Sequence, residues 1–283
     1  MKKNLSLLLL AGAMFISSYN KLNESEQNKY IPLKENIKIF FPEKDSTKEK
    51  KNTYINKALD GIEKINEKYL NENTNSISFF NNERKLKDKI IDLLGKKEHA
   101  LRLDNITYSE HYYQIDELSL KQIKIIYLMI KSLEDSSFSN KVGRIIKEDV
   151  EDMYSEHGGI INFKGEANLN LICLESELKK QKKVENNEEY VMPSRAFLLR
   201  KIAYFHLHAC EYDEILFAGP SLGDIYDLES NSIFFGALHD FVITSVKKGK
   251  FNVDYTGIDT TNNQYVKVID LGNYAYDTAK IEK

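Results

Sequence analysis

The sequence predicts a mixed α/β (α+β) protein, with a mainly helical N-terminal region followed by a mixed β-sheet flanked by helices in the C-terminal half. Three observations carry that prediction. Between residues 52 and 135, apolar side chains recur at helical spacing. From Gly158 onward they fall in short runs of strand length, several of them alternating with polar residues. One such run, Ile202 to His208, ends in His206-Leu207-His208 and leads on to Gly219-Pro220-Ser221-Leu222-Gly223-Asp224, which reads as a strand passing to the start of a helix.

The elements follow in order. Residues 1–18 read as a secretory signal peptide, with Lys2 and Lys3 as its positive segment, Leu5 to Ile16 as its apolar segment and Ser17-Ser18 as a small-residue cleavage site. An uncleaved N-terminal anchor is the alternative, although the apolar run is short for a bilayer span. Residues 19–51 form a polar, lysine-rich linker with one apolar patch at Ile37 to Phe41. Asn52 to Leu70 predicts a helix with Ile55, Leu59, Ile62, Ile65 and Tyr69 on one face. Glu83 to Leu94 predicts a second, striped by Leu86, Ile90, Ile91 and Leu94. Asp116 to Leu133 predicts a third, capped by Asp116 or Ser119. The polar run Asp135 to Asn140 reads as a domain boundary, dividing a helical region at 52–138 from a second domain at 139–283.

Beyond the break, Lys141 to Tyr154 predicts a helix, and Gly158 to Phe163 with Asn168 to Leu174 a hairpin. Lys179 to Glu189 reads as a loop or exposed extension, and Ser221 to Phe235 as a helix. Phe241 to Val246, Phe251 to Tyr255 and Tyr265 to Leu271 predict three further strands, the first two joined by a turn at Lys247-Lys248-Gly249-Lys250.

Composition narrows the function classes. A hydrophobic content of 42% supports a packed core, and a formal net charge of -3 speaks against electrostatic binding of nucleic acid. After the signal peptide there is no run long enough to span a membrane. The only cysteines, Cys173 and Cys210, do not make a disulfide-dense scaffold, and whether they pair is left open. Oligomeric state is also left open.

The chemistry concentrates in the C-terminal half. Residues i and i+2 of a strand share a face, so His206 and His208 can offer two imidazoles to one point. With Asp224 they make a three-ligand set of the kind that binds catalytic zinc, with the fourth position left to water. Taken alone, each piece has a plainer reading. Histidines are common in cores and at rims, and Ser221 with Asp224 is also an ordinary capping box. A zinc deaminase is disfavoured, because no Cys-x-x-Cys pair is present.

His206-Leu207-His208 followed by Ser221-Leu222-Gly223-Asp224 resembles the tail of the signature of the JAB/MPN metalloprotease family, often called JAMM, over about residues 139–271. The resemblance implies a zinc peptidase or isopeptidase acting on a peptide or protein, and the signal peptide adds that it is exported to the periplasm or beyond. His206, His208 and Asp224 would hold the metal, and Ser221 would donate a hydrogen bond to water or oxyanion. The family's upstream glutamate falls best on Glu156, in Ser155-Glu156-His157-Gly158-Gly159-Ile160-Ile161, with Glu166 and Glu175 as competitors. Two departures stand out: the twelve residues from Ala209 to Pro220 between the second histidine and the serine, and Ala209 where many members carry proline. A non-catalytic binding or scaffold protein of the same fold is the alternative.

Overall fold

The computed structural model describes residues 64, 66–100, 115–151, 156–176, 190, 196, 199, 201–208, 219–221, 223–225, 228, 239–258 and 266–281. The signal peptide, the linker, the start of the first predicted helix, the 179–189 segment, His111 and Cys210 lie outside them.

Helical residues 66–74 and a 3-10 turn at Ser78–Asn81 lead into α1 (Glu83–Leu94). Asn82 caps α1 by accepting from the Lys85 N–H. Leu86 and Ile90 of its predicted stripe are buried, but Ile91 is 48% exposed, so the apolar face is narrower than its spacing suggested. A 3-10 turn at Ile115–Glu117 precedes α2 (Leu120–Leu133). Ser119, rather than Asp116, caps α2, in a reciprocal capping box with Gln122. Most of α2 is buried, as expected of a helix that is apolar nearly all round.

α3 runs from Ser136 to Glu151 and so begins inside the predicted break. Asp135 accepts from the Ser137 and Phe138 N–H groups at 2.7 and 3.1 Å, satisfying donors of the first turn. The polar composition of 135–140 therefore marks a helix start, and the boundary drawn at 138 falls within α3.

Six strands stand among the described residues: β1 (Gly158–Phe163), β2 (Leu169–Leu174), β3 (Ala203–His208), β4 (His239–Lys247), β5 (Lys250–Ile258) and β6 (Val266–Ala275). They form one mixed sheet in the order β2-β1-β3-β4-β5-β6. Only the β3–β4 pair is parallel. A short helix, α4 (Thr278–Ile281), follows the sheet. The fold is thus α+β, with the strands predicted from Gly158 onward present.

Alternation along β3 assigns the two faces of the sheet. Ala203, Phe205 and Leu207 join a core that also holds Ile90 of α1, Ile126 and Met129 of α2, and Ile146 of α3. One continuous apolar core therefore runs across residue 138, and the helices before it form a layer on the sheet. The opposite face carries two smaller clusters. Ile160 and Tyr204 pack with Leu174 and Ala196, while Ile225 and Leu228 pack on Ile258, Val266 and Val268. Parallel strands require a crossover. Helical residues 223–225 lie within the chain that links β3 to β4, and the burial of Ile225 and Leu228 against β5 and β6 brings that crossover onto the second face. His206 and His208 alternate onto this same face.

Cys173 is a free thiol, and no helix among the described residues is long and apolar enough to cross a membrane.

Candidate metal centre

The C-terminal end of β3 and the start of the crossover helix bring His206, His208 and Asp224 together, with one ligand atom from each lying within 4.8 Å of the others. His206 Nε2 lies 3.2 Å from Asp224 Oδ1, and His208 Nε2 lies 3.3 Å from Asp224 Oδ2. The two rings are 5.1 Å apart between centroids and tilted by 57°. These three residues can hold a metal ion.

Each imidazole is fixed from behind. His206 Nδ1 lies 2.9 Å from Asp240 Oδ2. The β3–β4 register puts Tyr204 opposite Asp240 and His206 opposite Val242, so the carboxylate reaches along the strand to the next residue on its face. The Phe241 N–H donates to Asp240 Oδ1 at 2.9 Å and steadies that carboxylate. His208 Nδ1 lies 3.1 Å from the carbonyl oxygen of Gly219. Gly219 in turn donates its N–H to Thr244 Oγ1 at 3.1 Å. Its φ of 102° lies in the region that favours glycine, so only glycine presents this carbonyl without backbone strain. With an acceptor at each Nδ1, a neutral ring keeps its proton there and turns its Nε2 lone pair toward a ligand.

Two observations favour a metal over a plain ion-pair cluster. His206 Nε2 is buried and makes no hydrogen bond of good geometry, despite Asp224 at 3.2 Å. Charge-assisted bonds between nitrogen and carboxylate close to about 2.7–2.9 Å. The observed 3.2 and 3.3 Å run to the two different oxygens of Asp224 and are longer than that.

The electrostatics are those of a tightly charged cluster. Burial opposes the imidazolium of His206, but the carboxylates of Asp240 and Asp224 outweigh it and hold its pKa well above the usual value. Burial likewise works against the Asp224 carboxylate, yet the two imidazoles hold it well below the usual range.

Glu156 lies beside this cluster. β1 and β3 pair with Gly158 opposite His206, and the Leu207 N–H donates to the His157 carbonyl at 2.8 Å. Continuing that register by two residues sets Glu156 opposite His208, on the same face. Burial pushes the Glu156 carboxyl up to about 7, with Asp224 and Asp149 adding to the rise and the two histidines opposing it. Asp149 of α3 accepts from the His157 N–H, which ties the segment next to Glu156 to the helical layer. The competitors stand elsewhere: Glu166 is exposed in the β1–β2 turn, and Glu175 is exposed just beyond β2. A Cβ at Gly158 would sit 2.6 Å from the Tyr190 ring, so the missing side chain lets that ring close over the strand beside His206.

Ser221 is exposed, and its Oγ accepts from the Asp224 N–H at 3.2 Å while Asp224 Oδ2 accepts from the Ser221 N–H at 2.5 Å. The capping box foreseen as the plainer reading is thus present, and it orients the Asp224 carboxylate toward the histidines. Two further histidines, His99 and His239, make their own contacts. His239 is buried against the Tyr255 hydroxyl at 2.7 Å, and His99 pairs with Asp270.

Asp240 and Gly219 are the site residues that sequence reasoning missed. The available signals were an acidic residue heading an apolar strand and a Gly-Pro pair ahead of the helix start. No family model matches the chain, and no curated protein or solved structure matches it, so the case for a metal centre rests on the chain's own residues.

Proposed function

We propose that the chain is a zinc-dependent peptidase or isopeptidase of JAMM type, on a JAB/MPN-like fold and acting outside the cytoplasm. The carrying observation is the convergence of two Nδ1-anchored imidazoles and one carboxylate, with a ligand atom from each within 4.8 Å of the others and Glu156 beside them. Zinc suits a set of two nitrogens and one oxygen. Held by His206, His208 and Asp224, it would supply a Lewis acid that acidifies water and polarises an amide carbonyl.

The chain's own groups do the rest. The Glu156 carboxylate takes the proton of the attacking water and passes it to the leaving amine nitrogen, as the carbon–oxygen bond forms and the carbon–nitrogen bond breaks. A pKa of about 7 suits a group that must both accept and return a proton near neutrality. The Ser221 Oγ accepts from the Asp224 N–H, which leaves its own O–H to donate to the developing oxyanion. Asp240 and Gly219 keep the imidazoles oriented throughout. This reading extends to the bond attacked and not to the substrate.

The test is hydrolysis of peptide and isopeptide-linked substrates by zinc-loaded protein. Wild type should cleave, and Glu156→Gln should lose cleavage while keeping its zinc. A zinc-loaded wild type inert toward both substrate types would reject the peptidase reading in favour of a non-catalytic binding or scaffold protein.

A further inference from the structure

On the helical side of the sheet lies a cavity of about 300 Å³, lined by Asn71, Thr74, Asn75, Asn81 and Lys124, with the ring of Phe80 among its walls. Lys124 projects from α2 and is only 8% exposed. Its ammonium has one partner, the Asn71 Oδ1 at 3.4 Å, which is the outer limit of a hydrogen bond. No carboxylate among the described residues pairs with it. An ammonium has three donors, so two remain for whatever occupies the cavity.

The rest of the lining is set out in the same sense. Asn71 presents its oxygen to Lys124, which leaves its NH2 group as a donor at the same spot. Asn75 and Asn81 are exposed and stand at the rim, where each can donate to an incoming group. Thr74 turns its hydroxyl proton to the Leu70 carbonyl at 2.8 Å. Among the described residues, the lining therefore combines one lysine with a largely buried side chain and several amide donors, with no acid.

We propose that this cavity is a binding site for a small anion bearing a carboxylate or phosphate group, held by the Lys124 ammonium and the side-chain amides of Asn71, Asn75 and Asn81. The site lies across the sheet from the metal centre and does not depend on it.

The experiment is calorimetric titration of the full chain with inorganic phosphate and with malonate, each against sodium chloride at matched ionic strength. At least one of the two anions should bind saturably, on the order of millimolar or tighter. Whichever binds distinguishes phosphate from carboxylate ligands. Lys124→Met, which keeps the stem and removes the charge, should weaken binding about tenfold or more. Asn71→Asp should weaken it comparably, because it gives Lys124 an internal counter-ion. Should Lys124→Met fail to fold, Asn71→Asp decides alone, since it keeps the cation. Absence of saturable binding by both anions, an equal effect of chloride, or wild-type affinity in Asn71→Asp would overturn the proposal.

Discussion

Asp240→Asn isolates the anchoring of a metal ligand from the ligand itself. In the wild type, Asp240 Oδ2 lies 2.9 Å from His206 Nδ1 while Oδ1 accepts from the Phe241 N–H at 2.9 Å. Both oxygens act as acceptors. Asparagine has one acceptor and one donor at these positions, so one of the two bonds must be lost. If the amide NH2 turns toward His206, it makes Nδ1 an acceptor and moves the ring proton to Nε2, the atom needed for metal. If the oxygen turns toward His206, the NH2 group faces the Phe241 N–H, and the side chain is no longer steadied. Either arrangement weakens zinc binding without touching a ligand. Loss of such an outer partner lowers metal affinity about 10–100-fold, or about 1.4–2.7 kcal/mol. The assay is zinc competition against a chromophoric chelator, with circular dichroism to check the fold. A folded Asp240→Asn variant binding zinc within about twofold of wild type would refute the reasoning, because oriented imidazoles are its premise.

Three further outcomes are expected. Glu156 ionises at about 7 in the folded chain against an ordinary 4.5, so its stabilising contribution is complete below the lower value and fades as pH rises through the upper. Metal-free Glu156→Gln should therefore be as stable as wild type near pH 4 and more stable near pH 8, by on the order of 3 kcal/mol in urea unfolding; a pH-independent difference would contradict this. Gly219→Ala places a Cβ at a φ of 102°. It should cost about 1–3 kcal/mol of stability and loosen zinc as the carbonyl shifts from His208, and unchanged stability and affinity would count against the anchoring role. In the metal-free chain the carboxylates of Asp240 and Asp224 favour the His206 imidazolium, whereas zinc requires the neutral ring. Zinc uptake at about pH 7 should release a proton, seen as a calorimetric heat that varies with the ionisation enthalpy of the buffer, and affinity should fall as pH drops.

Much of the centre was legible because its parts are local. The pairing of His206 with His208 follows from strand periodicity, and the placement of Asp224 follows from the capping box that Ser221 begins. Glu156 was legible from the helix-to-strand passage before Gly158, and the β1–β3 register sets it opposite His208. Asp240 was not legible, because its role depends on parallel pairing between strands thirty-odd positions apart, which no local pattern encodes. The Gly219 carbonyl was likewise hidden, since a backbone acceptor leaves no trace in side-chain chemistry. The helical region looked separable because 135–140 is polar. Those polar groups serve Asp135 as a cap and the opening turn of α3, whereas Ile126, Met129 and Ile146 commit the helices to the same core as Phe205 and Leu207.

Metal content tests the central claim most directly. Wild-type protein purified without chelators should carry about one zinc per chain, while His206→Ala and Asp224→Ala should carry little or none, by elemental analysis. Wild type free of zinc under those conditions, or variants loaded like wild type, would contradict it.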